Sequence, residues 1–501
     1  MSIRQGFFVA ALGAFAVVAL LAAVIIVRTV NYGSVAPAYA PVTLPQTPPI
    51  DTQRAAEHLG EAIRIQTITR RAIDPVEGEE GPWLALHTWL EETYPAAHAA
   101  MTRELIPGGM TLLYTWAGSD PALDPILLMA HQDVVPVVDE AAWDHPPFDG
   151  VVADGFVHGR GAVDDKGSLV MLMEAADALA ASGFAPRRTV HFLFGHNEEV
   201  SGSGARSGVR LLAERGVNPA FALDEGIMGV ADNPITNKPV ALIGVAEKGY
   251  LTVEIVARGT GGHSSMPPPE SALVRLSRAV VALEENQMPA HFDWPPLSAF
   301  FSEASKDMPF AFRLALANTW AFGGVIRSEM EKTGEANAVL RTTAAPTVAE
   351  ASPKENILPQ SARALINFRV HPLDDADAVV AHVRRVTKDI PGLEITTQRN
   401  VINTPGGAAV SATDNRAFAT LAAVAAETAP GAPVTPFLVL AATDGRHAEA
   451  IAKDVYRYLP MVATAEEIAG IHAANERLSV ANVGRMTRGY AALILAMDSE
   501  D

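Results

Sequence analysis

The chain has 501 residues, 49% of them hydrophobic, a formal charge of −19 and no cysteine. That length suits two or three domains of about 150 residues each, and an acidic chain without a basic, aromatic-studded patch argues against nucleic acid as a partner. Without cysteine, disulfides and thiolate metal sites are both excluded.

The first element is Phe7–Val27, an uncharged run of 21 residues between Arg4 and Arg28. At 1.5 Å per residue it spans a hydrocarbon core of about 30 Å. A cleaved signal peptide competes, because Ala38-Tyr39-Ala40 matches an A-x-A site. The run is longer than the usual signal-peptide core of about 7–15 residues, and Arg28 separates it from that site. Residues 1–30 are therefore expected to be a retained anchor. The flanking charges favour a single pass with the rest of the chain on the non-cytoplasmic side. Residues 31–51 are rich in proline and read as a semi-rigid spacer between the membrane and the body of the chain.

The first part of the main domain is expected over 52–246. Thr52–Ile65 and Trp83–Tyr94 have helical spacing, and Thr111–Trp116 reads as a strand. Three apolar runs follow, and each ends in polar groups. Ile126–Ala130 runs into His131 and Asp133, Thr189–Gly195 into Glu198 and Glu199, and Ala220–Leu223 into Asp224 and Glu225. Between the first two lie Asp164-Asp165 and a helical pattern over Ser168–Ala181, with Gly183 as its stop. Strands alternating with helices imply a largely parallel sheet, whose ligands bind at the carboxyl ends of the strands. The polar clusters should therefore converge.

Histidine and carboxylates without thiols suit a borderline cation such as zinc. Residues two apart on a strand face the same way, so Asp133 can orient His131. Glu198 and Glu199 are adjacent and point differently. One can bind metal while the other takes a proton from water, as a metal-assisted hydrolase needs. The glycine-rich Gly202–Gly208 follows the Glu pair and is not a phosphate-binding loop.

Residues 247–390 read as an inserted unit. Leu251–Ala257, Val339–Val348 and Arg363–Val370 look like strands, and Ser271–Glu285 and Asp374–Asp389 like helices. Gly259–Pro269 is a loop holding His263. Residues 286–338 form an aromatic-rich extra segment, expected to shape the substrate pocket or to pack against the inserted unit. The second part of the main domain is expected over 391–501, with a helix at Asn415–Thr428, a strand at Thr435–Leu440 and a final helix over about Glu476–Met497. Arg446 suits bidentate capture of a terminal carboxylate. Arg369 is a weaker candidate, and His145, His158 and His196 read as structural.

AHQDVVPV, WDHPPFDG, GRGAVDDKG, NEE, LDEG, GHSSMPP, ENILP, TDGRH and IHAANE occur in one order over roughly residues 51–495. In this the chain resembles the di-zinc aminoacylase/carboxypeptidase superfamily, in its branch of carboxypeptidase S (Gly-X carboxypeptidase) and N-acyl-amino-acid hydrolases. The resemblance implies a three-layer α/β catalytic domain with an inserted, ferredoxin-like α+β lid, through which two copies could pair as a homodimer. It implies two Zn2+ per subunit. His131 and Glu225 would hold one, Glu199 and His472 the other, and Asp164 would bridge both. In LDEG either Asp224 or Glu225 could be the ligand, with Glu225 preferred. Asp133 would support His131, Glu198 would be the general base, and His263 would donate to the developing oxyanion. Asn356 would contact substrate. Two departures, Asn197 before the Glu pair and Ala473 after the last histidine, remove neither ligand nor base. The implied activity is release of a C-terminal amino acid from short peptides, with hydrolysis or synthesis of N-acyl amino acids as the alternative. A catalytically silent metal-binding scaffold is the remaining rival, against which the presence of Glu198 argues.

Overall fold

The computed structural model describes residues 3–33, 39–233, 238–398, 407 and 409–499. Ala38 of the A-x-A triplet lies outside them. Eight strands form one mixed sheet, in the order Thr102–Leu105, Leu112–Trp116, Val190–Gly195, Ile126–His131, Phe221–Val230, Val455–Ala463, Val240–Glu247 and Val434–Val439. The strands Val190–Gly195, Ile126–His131 and Phe221–Val230 lie side by side and parallel. All three polar clusters therefore sit at one edge.

Burial explains why these strands carry unbroken apolar runs. Ile126, Leu128 and Ala130 face one helical layer, built from Thr52–Arg64, Lys166–Ala181, Arg416–Thr428 and Val480–Asp498. Leu127 and Met129 face the other side, where Ala205, Val209 and Leu212 of the helix Ser203–Glu214 pack. A strand covered on both faces cannot alternate apolar with polar. Three layers result.

A second, four-stranded antiparallel sheet has the order Thr343–Glu350, Ser361–Val370, Gly249–Arg258, Leu393–Thr397. With the helices Ala272–Glu285 and Ala376–Val386 its chain order is β-α-β-β-α-β, that of a ferredoxin-like unit. Along Ser361–Val370 every second residue is buried, and those residues share a core with Leu276, Leu283, Val379 and Val383 of the two helices. The pairing of Leu393–Thr397 with Gly249–Arg258 carries this unit past the boundary expected at 390.

The structure corrects four local expectations. The strand expected at Val339–Val348 starts at Thr343, because Thr333 caps a short helix over Gly334–Leu340. The last helix begins at Val480, capped by Ser479, after Arg477–Ser479 pairs as a strand with Phe156–His158. The segment 286–338 does not line the candidate active site, and it packs only in part against the smaller unit, where Met288 joins that unit's core and His291 and Trp294 meet His371. Its Trp294, Leu297, Phe300 and Phe301 bury against Val240, Leu242 and Leu438, covering the last two strands of the large sheet. The proline-rich stretch is not a free spacer. Tyr39 packs edge-on against Phe418 at 5.4 Å between ring centroids, and Leu44 joins the main core. A stiff extended chain with few backbone bonds of its own is held here by side chains.

The N-terminal helix runs over Ile3–Asn31. From Leu12 onward it is exposed along almost its whole length, and by length and composition it qualifies as a candidate membrane span.

Candidate active site

His131 ends its strand with the ring fully buried. Its Nδ1 lies 3.0 Å from the Asp133 carbonyl oxygen and 3.4 Å from Asp133 Oδ1, so Nδ1–H donates there and Nε2 is left to bind. Asp133 does more than orient that ring. Its Oδ1 accepts from the Glu198 N–H at 3.0 Å, and its Oδ2 from the Glu199 N–H at 3.2 Å and the Thr69 hydroxyl at 2.7 Å. One buried carboxylate thus fixes the histidine and the Glu pair together.

Asp164 sits between two histidines. Its Oδ1 is 2.9 Å from His131 Nε2, and its Oδ2 is 3.0 Å from His472 Nε2. Glu225 Oε1 is 3.8 Å from His131 Nε2, and Glu199 Oε1 is 3.1 Å from His472 Nε2. His131, Asp164 and Glu225 therefore form one triad, and Asp164, Glu199 and His472 a second. Within each, the candidate ligand atoms lie within 4.8 Å of one another. His472 takes a left-handed backbone, φ 61°. A non-glycine residue held there is a mark of functional sites.

Glu476, four residues on, positions the Asp164 loop. Its Oε1 accepts from the backbone N–H groups of Gly161, Val163 and Asp164 at 2.9–3.1 Å, and its Oε2 pairs with Arg160. Both partners are buried. Glu476→Ala would strand the Arg160 charge, and we expect it to lower stability by about 3–5 kcal/mol. A denaturant midpoint equal to that of the unmutated protein would refute this role.

Acids crowd this site. Burial holds Glu198 well above the usual carboxylate range, and the Asp444 charge adds to it against His131 and Arg446. Burial and the Asp164 charge do the same to Glu225. Burial also opposes ionisation of Asp164, but its hydrogen bonds to His131 and His472 win and hold it low. Hydrogen bonds to Asp164 and Glu199 push His472 up to about 10. Ionising this many buried carboxyls together calls for cations beside them. The nitrogen and oxygen donors, His131 Nε2 turned toward Asp164, and the compact triads fit divalent metal.

Residues 127–496 match the model of peptidase family M20/M25/M40. The chain belongs to this family. It is 34% identical over 443 residues to "Probable carboxypeptidase S-like 2" of Dictyostelium discoideum, covering 88% of this chain and 84% of that protein. It is 38% identical over 376 residues to the Homo sapiens "N-fatty-acyl-amino acid synthase/hydrolase PM20D1", covering 74% and 73%. Among solved structures, the M20 family metallo-carboxypeptidase Sso-CP2 from Sulfolobus solfataricus shares the fold, with TM-score 0.64 and 16% identity, covering 89% and 99%. As an M20 family member the chain is a metal-dependent hydrolase.

The M20 site opens into a cavity of about 480 Å³. Glu198, Glu199, Glu225, Asp164 and His472 reach it, as does Arg446, whose Nη1 is 3.8 Å from Glu198 Oε1. Asp224 faces away from the triads, and its Oδ2 accepts from the Gly445 N–H. The loop carrying Arg446 is braced from below. Thr443 N–H donates at 3.0 Å to Glu247, which pairs at 3.1 Å with the buried Arg457.

Two expected residues are not brought to the cavity. His263 pairs in a two-stranded ribbon with Ile357, its Nδ1 2.8 Å from Ser265 Oγ, and it is exposed. Asn356 is its exposed neighbour, and its carbonyl accepts from Ser264 N–H at 3.2 Å. Both belong to the smaller unit. Arg369 and Tyr250, in contrast, do line the cavity. They are cross-strand partners, with the guanidinium 4.8 Å from the ring centre. Sequence reasoning left Arg369 as a minor candidate and missed Tyr250, because their meeting depends on strand register. His196 is a structural residue, 2.6 Å from Thr111 Oγ1 and pushed down to about 4 by burial.

Proposed function

We propose that the chain is a di-zinc amide hydrolase that releases a C-terminal amino acid from short peptides. The observation that carries this is the pair of triads sharing Asp164, with Glu198 beside them and in neither. His131, Asp164 and Glu225 would hold one zinc, and Asp164, Glu199 and His472 the other. Zinc held there would polarise a carbonyl and lower the pKa of the attacking water. Glu198 takes a proton from that water and returns it to the leaving amine. Arg446 pairs with the substrate's terminal carboxylate. The smaller unit acts as a lid. Its closure, or pairing with a second copy, brings His263 to the carbonyl oxygen as negative charge develops, and Asn356 to the substrate. The N-terminal helix is a single-pass anchor that leaves the catalytic body on the non-cytoplasmic side.

A second reading is hydrolysis or synthesis of N-acyl amino acids. The apolar part of the cavity wall, Val163, Met228, Leu459 and Ile471, supports it, as does the likeness to PM20D1 proteins. The two readings separate on a panel given to the full-length chain with and without chelator. Gly-X dipeptides would be set against long-chain N-acyl amino acids with the same C-terminal residue. We expect chelator-sensitive cleavage of the dipeptides. Preference for the acyl conjugates would turn the assignment to the second reading, and cleavage of neither would sink both.

A further inference from the structure

The segment outside the active site is not a passive cover for the sheet. Two of its helices, Phe310–Ala317 and Thr319–Met330, meet in a tight corner at Asn318. That corner is fastened to the N-terminal helix. The fully buried Asn318 donates through Nδ2 to Thr29 Oγ1 at 3.2 Å and to the Ile25 carbonyl at 3.4 Å. Arg28 Nε donates to the Ala317 carbonyl at 3.0 Å, and Arg313 Nη2 to the Thr29 carbonyl at 3.2 Å.

These bonds set a depth. Arg313 meets Thr29 while Asn318 reaches Ile25, so the first helix of the corner climbs antiparallel to the anchor. Ile25 lies inside the apolar run that ends at Val27. The corner therefore stands level with the last turn of that run, where hydrocarbon gives way to headgroups. Its composition matches this level. Leu314–Ile326 carries no charge and is bracketed by Arg313 and Arg327. Trp320 and Val325 are 57% and 61% exposed, and Phe310 and Phe312 are also exposed. They continue the bare apolar surface of Val24, Ile26, Val27 and Val30 on the anchor itself. Beside them lies a cavity of about 470 Å³ between anchor and segment, with Val27, Phe301, Leu316 and Ile326 in its wall.

We propose that the corner Leu314–Ile326 is a second membrane contact, seated in the headgroup–acyl boundary of the bilayer with Trp320 at its tip. This rests on the reading of the N-terminal helix as a membrane span. Tryptophan suits that boundary because its ring is apolar and its N–H still finds a polar partner. An arginine at the rim keeps its stem in the apolar layer and its head among phosphates. The catalytic body is then held at a fixed tilt on the lipid surface by two contacts, in place of a tether.

The test uses the full-length chain in phosphatidylcholine nanodiscs, with plain lipid or with lipid brominated on its acyl chains. Bromine quenches tryptophan only at close range. Trp83, Trp116 and Trp294 are buried in the protein. We expect brominated lipid to lower the emission of the unmutated chain, and Trp320→Phe, which keeps the apolar ring, to abolish most of that loss. Equal fractional quenching in both proteins, or none in an incorporated unmutated chain, would overturn the seating while leaving the anchor intact. A chain that elutes free of lipid would overturn the anchor reading and the proposal with it.

Discussion

Asp164→Asn is expected to lose metal from both triads at once, and with it nearly all activity. The two oxygens of this carboxylate lie 2.9 Å and 3.0 Å from the imidazoles of His131 and His472. An asparagine keeps the shape but removes the charge, and it turns an amide N–H2 toward one of the two rings. Loss of a residue that merely orients a ligand costs about 10–100-fold in metal affinity. A ligand shared by two ions should exceed that. The fold should survive, because the Asp164 backbone N–H remains bonded to Glu476. The measurement is metal per chain by elemental analysis after dialysis, beside the hydrolysis rate. His472→Ala provides the contrast, since it touches one triad and should leave about half the metal. An Asp164→Asn protein that retains two metals would refute the bridge.

The position of this site was legible in the sequence because three apolar runs end in acids or histidine. In a sheet covered on both faces, such a run must be a buried parallel strand, and its end must be the ligand edge. Asp133 was legible as a neighbour of His131, two residues on. Its bonds to the Glu198 and Glu199 backbone were not, because they cross between strands. The same limit hid the Tyr250–Arg369 pair, which exists only in one register. Glu476 sits in a motif read for its histidine alone, yet it shapes the loop of Asp164. The place of the aromatic segment was only partly legible, for a plainer reason. Trp294 and Phe300 need a partner surface, and that surface, Leu438 and its strand, lies more than a hundred residues further along the chain. His263 and Asn356 carry a recognisable motif, but a motif does not encode where its loop stands relative to the cavity.

Glu198→Gln should separate chemistry from metal binding. Glu198 belongs to neither triad, and its oxygen faces Arg446 at 3.8 Å across the cavity. Its backbone is fixed by Asp133, so glutamine should occupy the same volume with both metals in place. What it loses is the ability to take a proton. Burial and the Asp444 charge raise the carboxyl, and raising brings a carboxylate closer to the pKa that suits a base at neutral pH. We therefore expect kcat to fall about 10²–10⁴-fold, the usual contribution of a positioned base, or about 3–5 kcal/mol in barrier. KM should change little, since Arg446 still meets the substrate. The sign of the pH effect follows from the same group. Activity of the unmutated enzyme should rise with pH as Glu198 loses its proton, and the residual rate of Glu198→Gln should lack that acidic limb. Glu199→Gln is the control, expected to lose metal first and rate as a consequence. If Glu198→Gln instead loses metal while Glu199→Gln keeps it, the two roles are exchanged. If Glu198→Gln turns over at nearly the full rate, neither glutamate is the base, and the proton must leave by another group in the cavity.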